Sequence, residues 1–344
     1  DMSHQSSTER HDLLIGGDRR PPAGDEYAPT HDPATGEPIA EVAVATGSDV
    51  DDAVAAARGA VPEWRDTDPV ERGEVVRRIA DLVRDHVDSL TELESHDQGK
   101  PRSQARSDIE SAARYFAYYA GAADKLEGTS VPVGTGQVDY TVREPYGVSA
   151  QVLPWNFPGN LFARGVAPAL VAGNAVVVKP APTTPLSALR LAELCHEAGV
   201  PDGAVNVVTG GGDAGAALTG HEGVDTVTFT GSVVTGQRVM KAAADTVTPV
   251  TLELGGKNPA IVYPDADVEE AVGWVETGIF TNAGQICSAA DRAIVHESVY
   301  DEFVEGIVDA ATSYELGPGR EDPDMGPLNH ADHHEKVSEY IDVG

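Results

Sequence analysis

Two short stretches of the sequence carry the residues best suited to covalent chemistry. Residues 280–288 read FTNAGQICS and contain Cys287, and residues 252–259 read LELGGKNP and contain Glu253. A thiol that follows a small, flexible turn can be presented at a cleft, and a carboxylate between two leucines can act as a base near neutral pH. We therefore expect Cys287 to be a nucleophile and Glu253 to be its base.

The two stretches resemble the active-site signatures of the NAD(P)-dependent aldehyde dehydrogenase superfamily, which read ELGGK and NxGQxC, and they have the family's separation. The resemblance implies an enzyme that oxidises an aldehyde to the carboxylic acid with NAD or NADP. In that scheme Cys287 attacks the aldehyde carbonyl, a hydride passes from the thiohemiacetal to the nicotinamide, and a thioester remains on the sulfur. No metal is implied, because the histidines show no ligand spacing such as H-E-x-x-H, and His333 and His334 are expected to be solvated.

The presence of Glu253 indicates how the thioester is released. A carboxylate base can activate water and yield a free acid, whereas relatives that pass the acyl group to coenzyme A tend to lack this glutamate. We therefore expect hydrolysis with Glu253 as the general base. Acyl transfer to coenzyme A and a non-catalytic, nucleotide-binding or structural protein stay open as alternatives. For Glu253 itself, the alternative is a pairing with Lys257 at a strand end.

A third motif, PWNFP at residues 154–158, comes directly after the first predicted strand of the sheet, where ligands of such folds bind. By the resemblance, the Asn156 amide and the Cys287 backbone N–H donate to the developing oxyanion. Pro154 and Trp155 are expected to border the cofactor.

Two glycine clusters compete for the cofactor pyrophosphate. Residues 210–215 read GGGDAG and satisfy G-x-G-x-x-G after a strand, whereas residues 229–236 read FTGSVVTG and also open a helix. In the resembled family the second loop contacts the pyrophosphate and the first lies beside the adenosine. The expected cofactor contacts are therefore Gly215, Gly231, Ser232 and Gly236, together with Glu253, Leu254 and Gly255.

Lys179 ends an apolar run and resembles the family lysine that bonds a ribose hydroxyl, so we place it in the active site as well. Many NAD-preferring members carry a glutamate at the place of Pro182, where a carboxylate binds the 2′-hydroxyl and repels a 2′-phosphate. Pro182 can do neither. The preference between NAD and NADP therefore stays open.

Short apolar strands alternate with helical runs from Tyr146 to Leu254. This pattern predicts a doubly wound, Rossmann-like parallel sheet in an α/β protein. We assign residues 13–127 and 146–252 to this cofactor domain, residues 128–145 to a β-hairpin, and residues 253–344 to a second α/β, catalytic domain. Residues 1–12 are predicted to be a disordered tail. In the resembled family, a hairpin of this kind is an oligomerisation arm.

The chain has 344 residues, of which 56 are acidic and 24 basic, giving a formal net charge of -32. This charge disfavours nucleic acid and anionic membranes as partners and favours a solvated surface adapted to high salt. No apolar stretch approaches the ~20 residues of a spanning helix, and no signal peptide is evident. Because the two cysteines form no disulfide framework, we expect a cytoplasmic protein, with Cys195 as a buried hydrophobe.

The resemblance runs from about residue 13 to the end but stops before the family's Glu-x-Phe-Gly-Pro motif and terminal strand. We therefore expect a catalytic domain that is incomplete at the C-terminus, and a homodimer or homotetramer when that part is present. The expected substrate is a small-molecule aldehyde. Arg164, expected at the entrance to the aldehyde tunnel, and Pro182 resemble residues of some aromatic-aldehyde members.

Overall fold

The computed structural model describes residues 9–343. The strands are β1 (Glu9–His11), β2 (Leu13–Ile15), β3 (Asp18–Arg20), β4 (Tyr27–His31), β5 (Pro38–Ala43), β6 (Ser130–Val131), β7 (Asp139–Tyr140), β8 (Val148–Val152), β9 (Ala175–Lys179), β10 (Val205–Val207), β11 (Thr226–Gly231), β12 (Val250–Leu254), β13 (Pro259–Val262) and β14 (Arg292–Val295). The helices are α1 (Gly47–Asp66), α2 (Pro69–Asp85), α3 (Val87–Gln98), α4 (Arg102–Ala120), α5 (Pro158–Val171), α6 (Leu186–Glu197), α7 (Gly212–Thr219), α8 (Val233–Ala244), α9 (Val268–Phe280), α10 (Tyr300–Ser313) and α11 (Ala331–Val343).

The main sheet has the strand order β12-β11-β8-β9-β10-β2-β3. The strands from β12 to β10 are parallel to one another, whereas β2 and β3 form an antiparallel hairpin on one edge. Strand β9 is buried along its whole length, as expected for a parallel strand covered by helices on both faces. The predicted doubly wound sheet is confirmed. The later parallel strands are added first on one side of β8, beginning with β9, and then on the other side, beginning with β11. The strand order therefore reverses beside β8, and a ligand of such a sheet binds at that point.

The sequence pattern predicts helices over residues 49–60, with Ser48 as the candidate N-cap, over residues 69–87 and over residues 103–126. The structure differs from this prediction in two places. Helix α1 is capped by Thr46 rather than by Ser48, because Thr46 and Asp49 form a reciprocal capping box. Helix α3 was not predicted, since its buried face includes the polar residues Glu94 and Asp97 and therefore lacks a clear apolar period.

The second α/β unit is small. Strands β13 and β14 are parallel, and α9 and α10 pack beside them around Val262, Val275 and Phe303. Trp274 is 71% exposed and Ile261 58% exposed, so much of the apolar surface of this unit faces outward. The boundary between the two domains remains a prediction.

The N-terminal segment is partly ordered. Residues 9–11 form β1, which pairs with β5, so the predicted disordered tail is wrong for these residues, and residues 1–8 lie outside the described part of the chain. Strands β6 and β7 form the predicted hairpin, on which Val138 is 84% exposed and Tyr140 66% exposed. Within residues 9–343, no helix is long and apolar enough to cross a lipid bilayer.

Candidate active site

Cys287 lies on an exposed loop that follows α9 and a 3₁₀ turn (Thr281–Gly284). Asn282, Ala283 and Gly284 have φ angles of 51°, 54° and 74°. A left-handed φ is uncommon outside glycine and asparagine, so Ala283 holds backbone strain. The small turn expected before the thiol is present, and it holds this strain at Ala283.

Buried side-chain amides hold this loop. Gln285 Nε2 donates to the Asn282 carbonyl at 2.9 Å, and the Asn282 backbone N–H donates to Gln104 Oε1 at 3.0 Å. The Asn329 backbone N–H donates to Gln285 Oε1 at 2.9 Å. Since buried polar groups are costly unless they are bonded, these contacts fix the loop against α4 and the segment before α11.

Asn258 ties the glutamate motif to the cysteine loop. Its Nδ2 donates to the Cys287 carbonyl at 2.9 Å, and its backbone N–H donates to Asp291 Oδ1 at 2.8 Å. Lys257 Nζ donates to Asp291 Oδ2 at 2.7 Å, and this hydrogen bond lowers the pKa of Asp291. The alternative pairing of Glu253 with Lys257 is therefore wrong. Sequence reasoning gave Asn258 no role, although its place in the LELGGKNP motif was a signal.

Glu253 lies in β12 and faces a cation. Its side chain is 46% exposed, and Oε2 lies 3.1 Å from Nη2 of Arg164, which is 39% exposed. The expected apolar setting is wrong, because the side chains of successive strand residues point to opposite faces and the flanking leucines do not enclose the carboxylate. The carboxylate is therefore accessible, with Arg164 in α5 as its counter-ion.

Asn156 brings the end of β8 to the cysteine loop. Its Nδ2 donates to the Gln285 carbonyl at 2.8 Å, and its own backbone carbonyl accepts from Asn282 Nδ2 at 3.0 Å. The carboxamide carries two N–H donors, and the Gln285 carbonyl takes one of them. The other can serve an oxyanion formed on Cys287, which is two residues along the same loop.

Lys179 ends β9 and is 5% exposed. Its Nζ donates to the Pro180 carbonyl at 2.9 Å, and burial lowers the pKa of the ammonium to about 8. A Cβ atom at Gly215 would lie 3.4 and 3.5 Å from Cδ and Cε of Lys179. The first glycine cluster therefore comes to the same edge of the sheet as Lys179, and the ammonium has donors left for a ligand.

The second glycine cluster connects β11 to α8. Ser232 caps the helix by accepting from the Thr235 backbone N–H at 3.2 Å. A Cβ atom at Gly236 would lie 2.8 Å from Leu254 Cδ2, and one at Gly231 would lie 2.6 Å from the Phe229 ring. Both glycines therefore allow close packing. The first turn of α8 has backbone N–H groups without helical partners, which suit an anion.

Trp155 contacts two histidines that precede or begin α11. Its ring centroid lies 5.4 Å from that of His330 and 4.9 Å from that of His333, and burial lowers the pKa of both imidazoles. His333 is therefore not solvated as expected, whereas His334 is exposed. A cavity of about 520 Å³ is lined by Pro182, His330 and His334. The described residues of the C-terminal segment thus come to the side of the sheet where the cofactor was expected.

The two thiols differ in accessibility. Cys287 is exposed, whereas Cys195 is buried and its burial raises the pKa of the thiol. Cys195 is thus the buried hydrophobe that was predicted, and Cys287 alone of the two can meet a substrate.

The doubly wound parallel sheet places the chain among α/β proteins with a Rossmann-like fold, and Asn156 and the cysteine loop lie where ligands of this fold class bind. The family model described as "Aldehyde dehydrogenase family" matches residues 20–344. The chain belongs to this family.

Individual relatives are similar over nearly the whole chain. A hydroxyisobutyraldehyde dehydrogenase of Mycolicibacterium austroafricanum is 42% identical over 334 residues, covering 96% of this chain and 66% of the relative. A mitochondrial benzaldehyde dehydrogenase of Antirrhinum majus is 46% identical over 338 residues, covering 96% of this chain and 63% of the relative. The chain thus spans just under two thirds of the length of these relatives.

Two solved structures have the same fold. The NAD⁺ complex of an aldehyde dehydrogenase from Bacillus cereus has a TM-score of 0.95 and 40% identity, covering 97% of this chain and 69% of that chain. The NAD⁺ complex of a betaine aldehyde dehydrogenase from Staphylococcus aureus has a TM-score of 0.94 and 38% identity, covering 97% of this chain and 67% of that chain.

Proposed function

We propose that this protein oxidises a small-molecule aldehyde to the carboxylic acid with NAD or NADP, through a thioester on Cys287. One observation carries the proposal: the loop of the exposed thiol is held from both sides by the motifs expected to assist it. Asn156 Nδ2 donates to the Gln285 carbonyl at 2.8 Å, and Asn258 Nδ2 donates to the Cys287 carbonyl at 2.9 Å. Glu253 lies five residues before Asn258.

The first half of the reaction forms the covalent intermediate. The Cys287 sulfur attacks the carbonyl carbon, its proton is transferred to a base, and the π electrons move to the carbonyl oxygen. Asn156 and the Cys287 backbone N–H donate to that oxygen, and such donors lower the barrier because they are already oriented. When bound, the nicotinamide supplies the oxidising group that accepts the hydride from the carbon, and a thioester is left on Cys287.

The second half releases the acid. Glu253 takes a proton from water, the oxygen of that water attacks the thioester carbon, and the C–S bond breaks with the electron pair returning to sulfur. Oε2 of this exposed carboxylate lies 3.1 Å from Nη2 of Arg164, so Arg164 competes with water for it. We favour hydrolysis over transfer to coenzyme A because Glu253 is present and accessible.

The residues present fit a dinucleotide. The Lys179 ammonium has spare donors for a ribose, Gly215 leaves room beside it, and the N-terminal turn of α8 after Ser232 suits a pyrophosphate. Trp155 would lie along the same edge of the sheet. NAD⁺ is bound in two similar structures, but Pro182 carries no carboxylate to reject a 2′-phosphate, so both cofactors belong in the test.

The test is the formation of reduced nicotinamide by the purified chain in molar salt, with aliphatic and aromatic aldehydes and with NAD and NADP. Cys287→Ala should abolish turnover. Glu253→Gln should give one equivalent of reduced cofactor and then stall, because the thioester forms but is not hydrolysed. Continued turnover of Glu253→Gln would contradict the role of Glu253. If Glu253→Gln stalls and added coenzyme A restores turnover, the result would select acyl transfer. Cofactor binding without acylation of Cys287 would select the non-catalytic alternative.

The remaining assignments belong to the same proposal. The exposed hairpin of β6 and β7 supports a role as an arm between subunits, because an exposed strand edge favours a partner. We assign residues 13–127 and 146–252 to the cofactor domain and the residues from 253 onward to the catalytic domain. The two free cysteines support a reducing compartment such as the cytoplasm.

A further inference from the structure

Lys100 is a buried cation directly behind the candidate active site. It lies in the break between α3 and α4, and its side chain is 0% exposed. Its Nζ donates to an Asp108 carboxylate oxygen and to the Asn156 carbonyl, the latter at 2.9 Å, and lies 3.6 Å from Glu94 Oε1. The ammonium also lies 4.3 Å from the centre of the Phe157 ring.

Packing alone does not explain a lysine at this place. Removing an ammonium from water is costly, and an apolar side chain of similar volume often stabilises a core as well or better. Asp108 is the nearer of the two carboxylates that face Lys100, and burial raises the pKa of the other, Glu94. The chain therefore keeps a charged donor where an apolar residue would fill the same space.

The contact with Asn156 distinguishes this ammonium from an ordinary buried ion pair. The Asn156 carbonyl accepts from both Lys100 and Asn282 Nδ2, so both lone pairs of this oxygen are engaged. With its peptide group held, Asn156 donates through Nδ2 to the Gln285 carbonyl in the cysteine loop. The Lys100 ammonium thus holds the peptide group of Asn156, whose side chain donates to the cysteine loop.

The position of Lys100 is itself fixed by the backbone around it. Gly99 ends α3 with a φ of 96°, and the Lys100 carbonyl accepts from Ser95 Oγ at 2.8 Å. A Cβ atom at Gly319 would lie 2.3 Å from the Gly99 and Lys100 carbonyl oxygens, and one at Gly326 would lie 2.2 Å from the Gly99 oxygen. The backbone at Gly319 and Gly326 therefore packs closely against the break between α3 and α4 and restricts its movement.

We propose that Lys100 is a positioning residue of the active site, whose ammonium fixes the Asn156 peptide so that the carboxamide points at the cysteine loop. The effect on turnover rests on the function proposed above, whereas the effect on the loop does not. Lys100 touches no reacting atom in this scheme and acts through Asn156.

The test uses five variants of the full chain, one of which is the double variant Lys100→Met/Asn156→Ala. Lys100→Met removes the ammonium, and Lys100→Met/Asp108→Asn removes it together with its counter-ion, so that the core keeps no unpaired charge if the single variant fails to fold. Asp108→Asn is the matched control, because it keeps the ammonium and its hydrogen bond to the Asn156 carbonyl, and Glu94 Oε1 still lies 3.6 Å from Nζ. Asn156→Ala removes the residue through which Lys100 is said to act.

Two readouts are compared in a double-mutant cycle of Lys100→Met and Asn156→Ala. The kcat of Lys100→Met should fall about 10- to 100-fold, as expected for a misplaced catalytic group, with little change in the KM for the cofactor. Amide exchange of residues 282–287 should become faster in both single variants. Neither effect should grow further in the double variant, because two residues that act as a unit are not additive. Asp108→Asn should lower kcat much less than Lys100→Met does, because the hydrogen bond from Lys100 to the Asn156 carbonyl is kept.

Additive losses in the cycle, or an exchange rate of residues 282–287 that Lys100→Met leaves unchanged, would overturn the proposal. A folded Lys100→Met/Asp108→Asn variant with wild-type exchange in the loop would overturn it as well. If the wild-type chain shows no turnover at all, the proposed function fails, but the exchange readout still decides the role of Lys100.

Discussion

Arg164 in α5 and Glu253 in β12 are joined by a contact of 3.1 Å between Nη2 and Oε2, and both side chains are more than a third exposed. An exposed ion pair of this kind contributes about 0–1 kcal/mol. The pair therefore biases the carboxylate towards Arg164 only weakly and does not keep it there. In the proposed reaction, Arg164 competes with water for the general base.

Replacing Arg164 should consequently release the base. We expect Arg164→Met to speed hydrolysis of the thioester by up to about fivefold, which corresponds to the loss of about 1 kcal/mol. Stopped-flow measurement of the phase after the first burst of reduced cofactor would show this. Arg164→Lys keeps a cation and is the control. A slower hydrolytic phase in Arg164→Met would mean that Arg164 orients Glu253 for the reaction rather than holding it back.

The two thiols should react very differently with an alkylating reagent. Iodoacetamide should modify Cys287 in the folded chain, because this thiol is exposed, and should spare Cys195, which is buried and has a raised pKa. Mass spectrometry of the peptides, with Cys287→Ala as the control, would measure both sites. After denaturation both thiols should react. Modification of Cys195 at a rate similar to that of Cys287 under native conditions would contradict the buried environment.

Local patterns predicted most of the fold, because apolar strands and helices with different periods alternate clearly between Tyr146 and Leu254. They missed α3 because this helix buries polar residues such as Glu94 against a distant part of the chain. They also placed Glu253 in an apolar setting, since flanking leucines in a sequence do not show which face of a strand each side chain takes.

The motifs likewise located the thiol, the carboxylate and the amide but not the residues that hold them. Asn258, Gln285 and Lys100 act through hydrogen bonds to residues 29, 44 and 56 positions away. No local period encodes contacts of that separation. The supporting residues of the site can therefore be identified only from the folded structure.

Cofactor binding should weaken as the pH rises through the pKa of Lys179, which burial lowers to about 8. Below this pH the side chain is an ammonium with three donors, and above it one proton and the charge are lost. We expect the dissociation constant for NAD, measured by calorimetry without aldehyde, to increase several-fold between pH 7 and 9. Lys179→Met should bind more weakly throughout and lose this dependence. An equal pH dependence in the variant would assign the titration to another group.

Asp97 should make the folded chain less stable as the pH rises towards neutrality. Its carboxyl group is buried, accepts from Thr30 Oγ1 at 3.0 Å and from the Leu186 backbone N–H at 2.9 Å, and burial raises its pKa to about 7. The folded state therefore binds more protons than the unfolded state between about pH 4 and 7, so the stabilisation from this group is complete below that range and is lost as the pH rises through it.

The variant Asp97→Asn keeps the shape of the protonated group and cannot ionise. The free energy of unfolding of Asp97→Asn relative to the wild type should therefore increase as the pH goes from 5 to 8. The increase should be at most about 3 kcal/mol, because about two units of the pKa shift fall within this range. Thermal unfolding in molar salt at both pH values would measure it. Asp88→Asn, at a carboxylate that is 84% exposed, controls for removing one negative charge from an acidic protein. If the two variants shift alike, the effect comes from net charge rather than from the buried site of Asp97.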